Sequence, residues 1–248
     1  MKDMTKTNRE HLQILKYPGL RALLLTIAAS GLNAVYAYGQ SVPLPPGSIG
    51  IPLPGTTAFA EPDLAGPIVA DQFIPFAIGG PTNAIITGVF EDRVDRESLT
   101  GNLDFYGRLT ITDFGNNQAG IESVSMADFT GFGLNANYRT DGLGVQGPDA
   151  ASRSGDGSVV AWYFDTPQWL GASGGASESL FFFAQTDAQN FDANGNAHIG
   201  SYDLFGAGLE PEINMGGIYE PVAAPEPATL SLAALGGIAS LVLARRRK

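Results

Sequence analysis

Between residues 103 and 112 the chain alternates. Leu103, Phe105, Leu109 and Ile111 share one parity; Asp104, Tyr106, Arg108, Thr110 and Thr112 share the other. A period of two sends successive side chains to opposite faces, so this segment reads as a strand with one dry face and one wet face. Leu134, Ala136 and Tyr138 alternate with Asn135, Asn137 and Arg139 in the same way. Segments 158–164 and 179–184 are apolar on both parities, which predicts central strands covered on both faces. Further strands are expected at 68–78, 84–94, 121–129 and 198–204, separated by Gly, Asn, Asp and Pro. No amphipathic helix of useful length interrupts them. Such a body, over 58–205, can bury its dry faces only by stacking sheets. The expected class is all-β: a β-sandwich, of which the jelly roll is one form, flanked by an N-terminal signal helix and a C-terminal transmembrane helix.

The two ends have other chemistry. Residues 1–37 carry a basic start, an apolar run over 22–32, and small or tolerated residues at Val35 and Ala37. That pattern predicts a secretion signal cleaved after Ala37. Residues 38–57 are rich in proline and glycine and read as an extended arm. Residues 206–224 read as a linker. Pro225-Glu226-Pro227 follows, then an uncharged apolar run over 228–244, then Arg245, Arg246, Arg247 and Lys248. The prolines hold the tripeptide extended, the run suits a short membrane span, and the arginines stop it on the cytoplasmic side.

The order Pro225-Glu226-Pro227-Ala228-Thr229-Leu230, Gly236-Gly237 and Arg245-Arg246-Arg247 resembles the PEP-CTERM sorting signal of Gram-negative bacteria. The resemblance implies that exosortase is a partner and cleaves at or near Pro225-Glu226-Pro227. It also implies use of the export machinery and a membrane-anchored stage before release to the cell surface or the medium. Within the body, Gly101-Asn102-Leu103-Asp104-Phe105-Tyr106 and Arg153-Ser154-Gly155-Asp156-Gly157 resemble segments of uncharacterised PEP-CTERM proteins. So does the stretch 177–186 with Asn190-Phe191. That likeness implies a fold and no activity.

Charge narrows the partners. Between Tyr38 and Pro227 there are five arginines, no lysine, and 23 of the 25 acidic residues, a net of −18. Such a surface repels phosphate backbones, so no nucleic-acid partner is expected. The chain has no cysteine, which removes thiol catalysis and cysteine metal sites. His198 is the one histidine after the leader, and no G-x-S-x-G elbow accompanies it. Paired carboxylates for glycoside hydrolysis are sought first in Glu91, Asp92, Asp95 and Glu97, but Arg93 and Arg96 interleave them. A solvated, salt-bridged turn is the expected outcome.

Asp187, Asn190, Asp192, Asn194 and Asn196 share a loop with oxygen ligands suited to calcium. The loop lacks an EF-hand order, so ordinary turns are the first reading and calcium, through Asp187, Asp192 and Asn194, is the alternative. No other cofactor is expected. Tyr106, Trp162 and Trp169 would stack on sugars if exposed, and fill the core if not. The functional expectation is a non-enzymatic structural or binding protein of the cell surface or exopolysaccharide matrix, with extracellular polysaccharide as a candidate partner. The alternatives are a carbohydrate- or calcium-binding module and a glycan-active hydrolase.

Overall fold

A computed structural model describes residues 39–79, 86–113, 119–164, 177–203 and 212–223. The helices expected at the two ends, and Trp169, lie outside these residues. Among the described residues no helix is long and apolar enough to cross a membrane.

Among the described residues, twelve strands form two antiparallel six-stranded sheets. They are β1 (Val42–Pro43), β2 (Ile51–Pro52), β3 (Ile68–Ile78), β4 (Ile86–Arg96), β5 (Leu103–Asp113) and β6 (Ala119–Met126). There follow β7 (Leu134–Tyr138), β8 (Ala150–Arg153), β9 (Val160–Tyr163), β10 (Phe182–Thr186), β11 (Asn190–Asp203) and β12 (Glu212–Val222). The first sheet runs β1-β7-β10-β5-β4-β3 and the second β12-β11-β6-β9-β8-β2. The chain is a β-sandwich. Six strands per sheet exceed the four of a minimal jelly roll.

The dry parities meet between the sheets. Phe90, Val94, Leu103, Phe105, Leu109 and Phe182 of the first sheet face Val124, Val160, Trp162 and Ile199 of the second. Trp162 and Phe182 lie 5.0 Å apart, centroid to centroid, across the gap. Each fully buried side chain of this size contributes roughly 1.5–3 kcal/mol. Trp162 is thus core, as its residue type favours. β10 is buried on both faces as expected, whereas β9 buries only Val160 and Trp162.

Three expectations change. The arm at 38–57 is part of the sandwich: β1 pairs with β7, β2 pairs with β8, and Leu44 and Leu53 enter the core. Short apolar residues between prolines suffice, because an edge strand tolerates a missing amide donor. Of the linker expected at 206–224, residues 206–211 and 224 lie outside the described residues, and the rest carries β12, which pairs with β11 from Asn190↔Val222 to Gly200↔Glu212. Glycines concealed it, and they serve a β-bulge register there, with Gly217 at φ 81°. The expected Asn/Asp loop is also strand, since Asn190, Asp192, Asn194 and Asn196 all lie on β11.

Candidate functional site

The outer face of the first sheet is where the chemistry collects. Strand register aligns side chains across it in rows. One row reads Asn135, Gln185, Asp104, Asp95, from β7 through β10 and β5 to β4. The next reads Asn137, Phe183, Tyr106, Arg93, Asp71. A third brings Arg108 beside Glu91 and Phe73. The alternation at 103–112 predicted a wet face here, but Asp104 and Tyr106 are buried.

The cover is a strap that follows β2 and crosses the rows before β3. It holds a 3₁₀ turn at Pro62–Ala65, started by proline. Leu64 of this turn packs with Tyr106, Phe181 and Phe183 in a second small apolar cluster. Arg139 bolts the strap, donating from Nη1 to the Leu64 carbonyl at 2.8 Å and from Nε to Asp141 at 2.6 Å. Ser41 donates from its amide and its hydroxyl to Glu61, tying the strap to the start of β1. Gly66 leaves no room for a side chain, because a Cβ there would sit 1.8 Å from the Arg96 carbonyl oxygen.

Beneath the strap lie the acids. Asp104 is fully buried, its carboxyl stands beside that of Glu97, and no other group hydrogen-bonds either oxygen. Burial, then the Glu97 carboxyl beside it, pushes Asp104 up to about 9. Asp95 is pushed up to about 6 by burial, against the pull of Arg93 and Arg139. Asp92 points the other way, between the sheets. It accepts from Gln72 Nε2 at 2.7 Å and from the Tyr219 amide at 2.8 Å, and burial raises it to about 7. The expectation of a solvated turn at 91–97 is therefore corrected. These residues lie on and just after β4, and Glu91, Asp92, Asp95 and Glu97 are all buried. Only Glu91 is paired as expected, with Arg93 at 2.6 Å and Arg108 at 2.8 Å. Arg96 donates instead to the Gly101 and Gln189 carbonyls. The alternation in sequence could not tell a wet face from one covered by a strap.

Beside the strap opens a cleft of about 600 Å³. The side-chain amides of Gln40, Asn102, Asn135 and Gln185 line it, with the carboxylates of Glu61, Asp63, Glu97 and Asp187. Sequence reading did not find this cleft, because its lining comes from five separate segments, 40–41, 60–63, 97–102, 133–135 and 185–187, with no motif. Of the calcium candidates, Asp187 faces this cleft and accepts from the Gly133 amide at 3.0 Å. Asp192 accepts from the amide and side chain of Asn194 at 3.1 and 2.9 Å. Burial, then the carboxyls of Asp128 and Asp192, raises Glu220 to about 7. Among the described residues no three or more His, Cys, Asp or Glu side chains are arranged to hold a metal ion. His198 Nε2 lies 2.9 Å from Glu212 Oε2 on the second sheet. Asp156 accepts from Ser154 and from the amide and hydroxyl of Ser158, which holds it down at about 2, as plain turn chemistry.

β12 ends at Val222, and a family model for the PEP-CTERM protein-sorting motif matches residues 223–248. The chain carries a PEP-CTERM sorting motif. The motif implies export, membrane anchoring of the signal before processing, and processing by exosortase. Pro225, Glu226, Pro227, Arg245, Arg246 and Arg247, and Ala37 at the other end, lie outside the described residues. No curated protein and no solved structure matches the chain, so the likeness of its body segments to other PEP-CTERM proteins has no relative behind it.

Proposed function

We propose that the sandwich is a non-enzymatic binding module for extracellular polysaccharide, delivered to the cell surface or exopolysaccharide matrix by its sorting motif. The cleft beside the strap carries this reading. A site lined by four amides and four carboxylates offers both donors and acceptors, which suits a ligand rich in hydroxyls. Its negative charge disfavours phosphate and other anions.

The hydrolase alternative needs a proton donor that reaches the scissile bond. The carboxyls pushed up, Asp104 to about 9, Asp92 and Glu220 to about 7 and Asp95 to about 6, are none of them part of the cleft lining. That geometry favours binding over cleavage. Calcium has no built site among the described residues, so a calcium-binding module is the weaker reading.

The test is a glycan array with the full chain, compared with Gln185→Ala. Retention of a polysaccharide by the wild type and its loss in the variant supports the reading. No retention of any glycan rejects it, and shortening of a bound chain would move the proposal to hydrolysis. Delivery is tested separately by Glu226→Ala in a host that carries exosortase. The apolar run and the arginines are untouched, so the variant still inserts, and it accumulates unprocessed in the membrane fraction. Equal processing of both proteins would remove Glu226 from recognition.

A further inference from the structure

A second, smaller cavity of about 160 Å³ opens on the same outer face, walled by Arg93, Asp95, Tyr106, Arg139 and Phe181, with Leu143 at its mouth. Its walls hold polar groups that the fold leaves unused. Tyr106 is 2% exposed, and the Arg139 guanidinium beside it can donate only to the hydroxyl oxygen, so the O–H itself meets no acceptor. Asp95 is 8% exposed and its Oδ1 has no partner. The Nε–H of Arg93 is buried and free as well, since that side chain meets Asp71 and Glu91 through Nη2. Unpaired buried polar groups cost free energy, and native proteins satisfy nearly all of them.

The free groups define what would satisfy them. Two donors, from Tyr106 and Arg93, stand with one acceptor, Asp95 Oδ1. A hydroxyl both donates and accepts, so two hydroxyls on neighbouring carbons match this set. Charge decides against other classes. Arg93, Arg108 and Arg139 are already met by Asp71, Glu91, Glu178 and Asp141, with Asp95 to spare, so an anion finds no surplus positive field. A metal cation would have to lie between Arg93 and Arg139. Size decides against a lone water, because the cavity is about ten times what one water needs. Leu143, 61% exposed, gives the mouth an apolar edge for the C–H face of a ring.

We propose that this cavity is a subsite for a single neutral sugar residue, held through two adjacent hydroxyls by Tyr106, Arg93 and Asp95. It rests on the reading of the sandwich as a glycan-binding module, and it adds a site distinct from the larger cleft.

The experiment uses the full chain in a zwitterionic detergent, free of sugar headgroups. The probes are methyl glucoside, methyl galactoside and methyl mannoside, followed by saturation-transfer NMR. At least one glycoside is expected to receive saturation from the wild type. Tyr106→Phe keeps the ring among Leu64, Phe181 and Phe183 and deletes only the hydroxyl. It should melt close to the wild type, because Arg139 keeps its bonds to Leu64 and Asp141, while binding the sugar roughly tenfold more weakly, the loss of about one hydrogen bond. A residue that only fills space would show no such split. Transfer to no glycoside, as from a cavity holding water alone, overturns the subsite. So does equal binding by Tyr106→Phe. A polysaccharide retained by wild type and Tyr106→Phe alike, but lost in Gln185→Ala, would overturn the subsite and leave the cleft standing. Absence of binding to sugars of every length would remove both.

Discussion

Asp104→Asn should make the protein less sensitive to alkali. The side chain is fully buried with no donor to either oxygen, and its carboxyl is raised to about 9 from 3.8. The folded state therefore keeps a proton that the unfolded chain gives up near its ordinary value. Stability from this group is complete below that value and is lost as pH rises toward about 9. In that window each pH unit costs about 1.4 kcal/mol, so the step from pH 5 to pH 8 removes about 4 kcal/mol through Asp104 alone. Asparagine has nearly the same shape and no charge to release, and its amide can donate to Glu97. Asp92, raised to about 7, and Asp95, raised to about 6, weaken both proteins in the same direction and so cancel in the comparison. The assay is urea unfolding of wild type and variant from pH 4 to pH 9, with the free energy extrapolated to water. The wild type should fall more steeply by about 4 kcal/mol between pH 5 and pH 8. Parallel profiles would refute the reasoning and place an ionised Asp104 in the folded state.

Arg153 is buried without a carboxylate partner and donates to four carbonyls, those of Leu44, Phe129, Phe132 and Gly157, at 2.9–3.1 Å. Arg153→Met leaves those of Leu44, Phe132 and Gly157 without this donor, while Phe129 keeps the Phe132 amide, and should cost about 3–5 kcal/mol, read as a lower urea midpoint; an unchanged midpoint would mean water replaces the guanidinium. Gly66→Ala drives a Cβ into the Arg96 carbonyl, and overpacking of this kind costs about 1–3 kcal/mol. Because Gly66 anchors the strap, hydrogen exchange should speed up at Glu61 and Leu64, whose amides bond within the strap, before the core strands, and uniform exchange would show that the strap does not open on its own.

The local pattern carried much of the fold. β3 and β5 follow from alternation and turn residues, and residues 68–78 form the strand expected there. The edges were hidden for a local reason: β1 and β2 are two residues each, and β12 carries Gly216, Gly217 and Pro221. Such strands hold their place through partners far away in sequence, as Ile51 does with Ala151. Propensity within the segment has little to say about them.

For the functional regions the division is sharper. The sorting motif is a contiguous segment, so Pro225-Glu226-Pro227, the apolar run and the arginines are legible in one dimension, and the family match at 223–248 covers them. The sequence by itself also determined that the body is acidic and made of stacked strands. Only the tertiary structure decided which polar residues are wet. Asp104 and Arg108 share a parity in one strand, yet Asp104 is sealed and pushed up to about 9 while Arg108 reaches Glu91 and Glu178. The difference is a strap from 40 residues upstream lying over one and not the other. Burial depends on what the rest of the chain brings to a surface, and no periodicity within a strand encodes that.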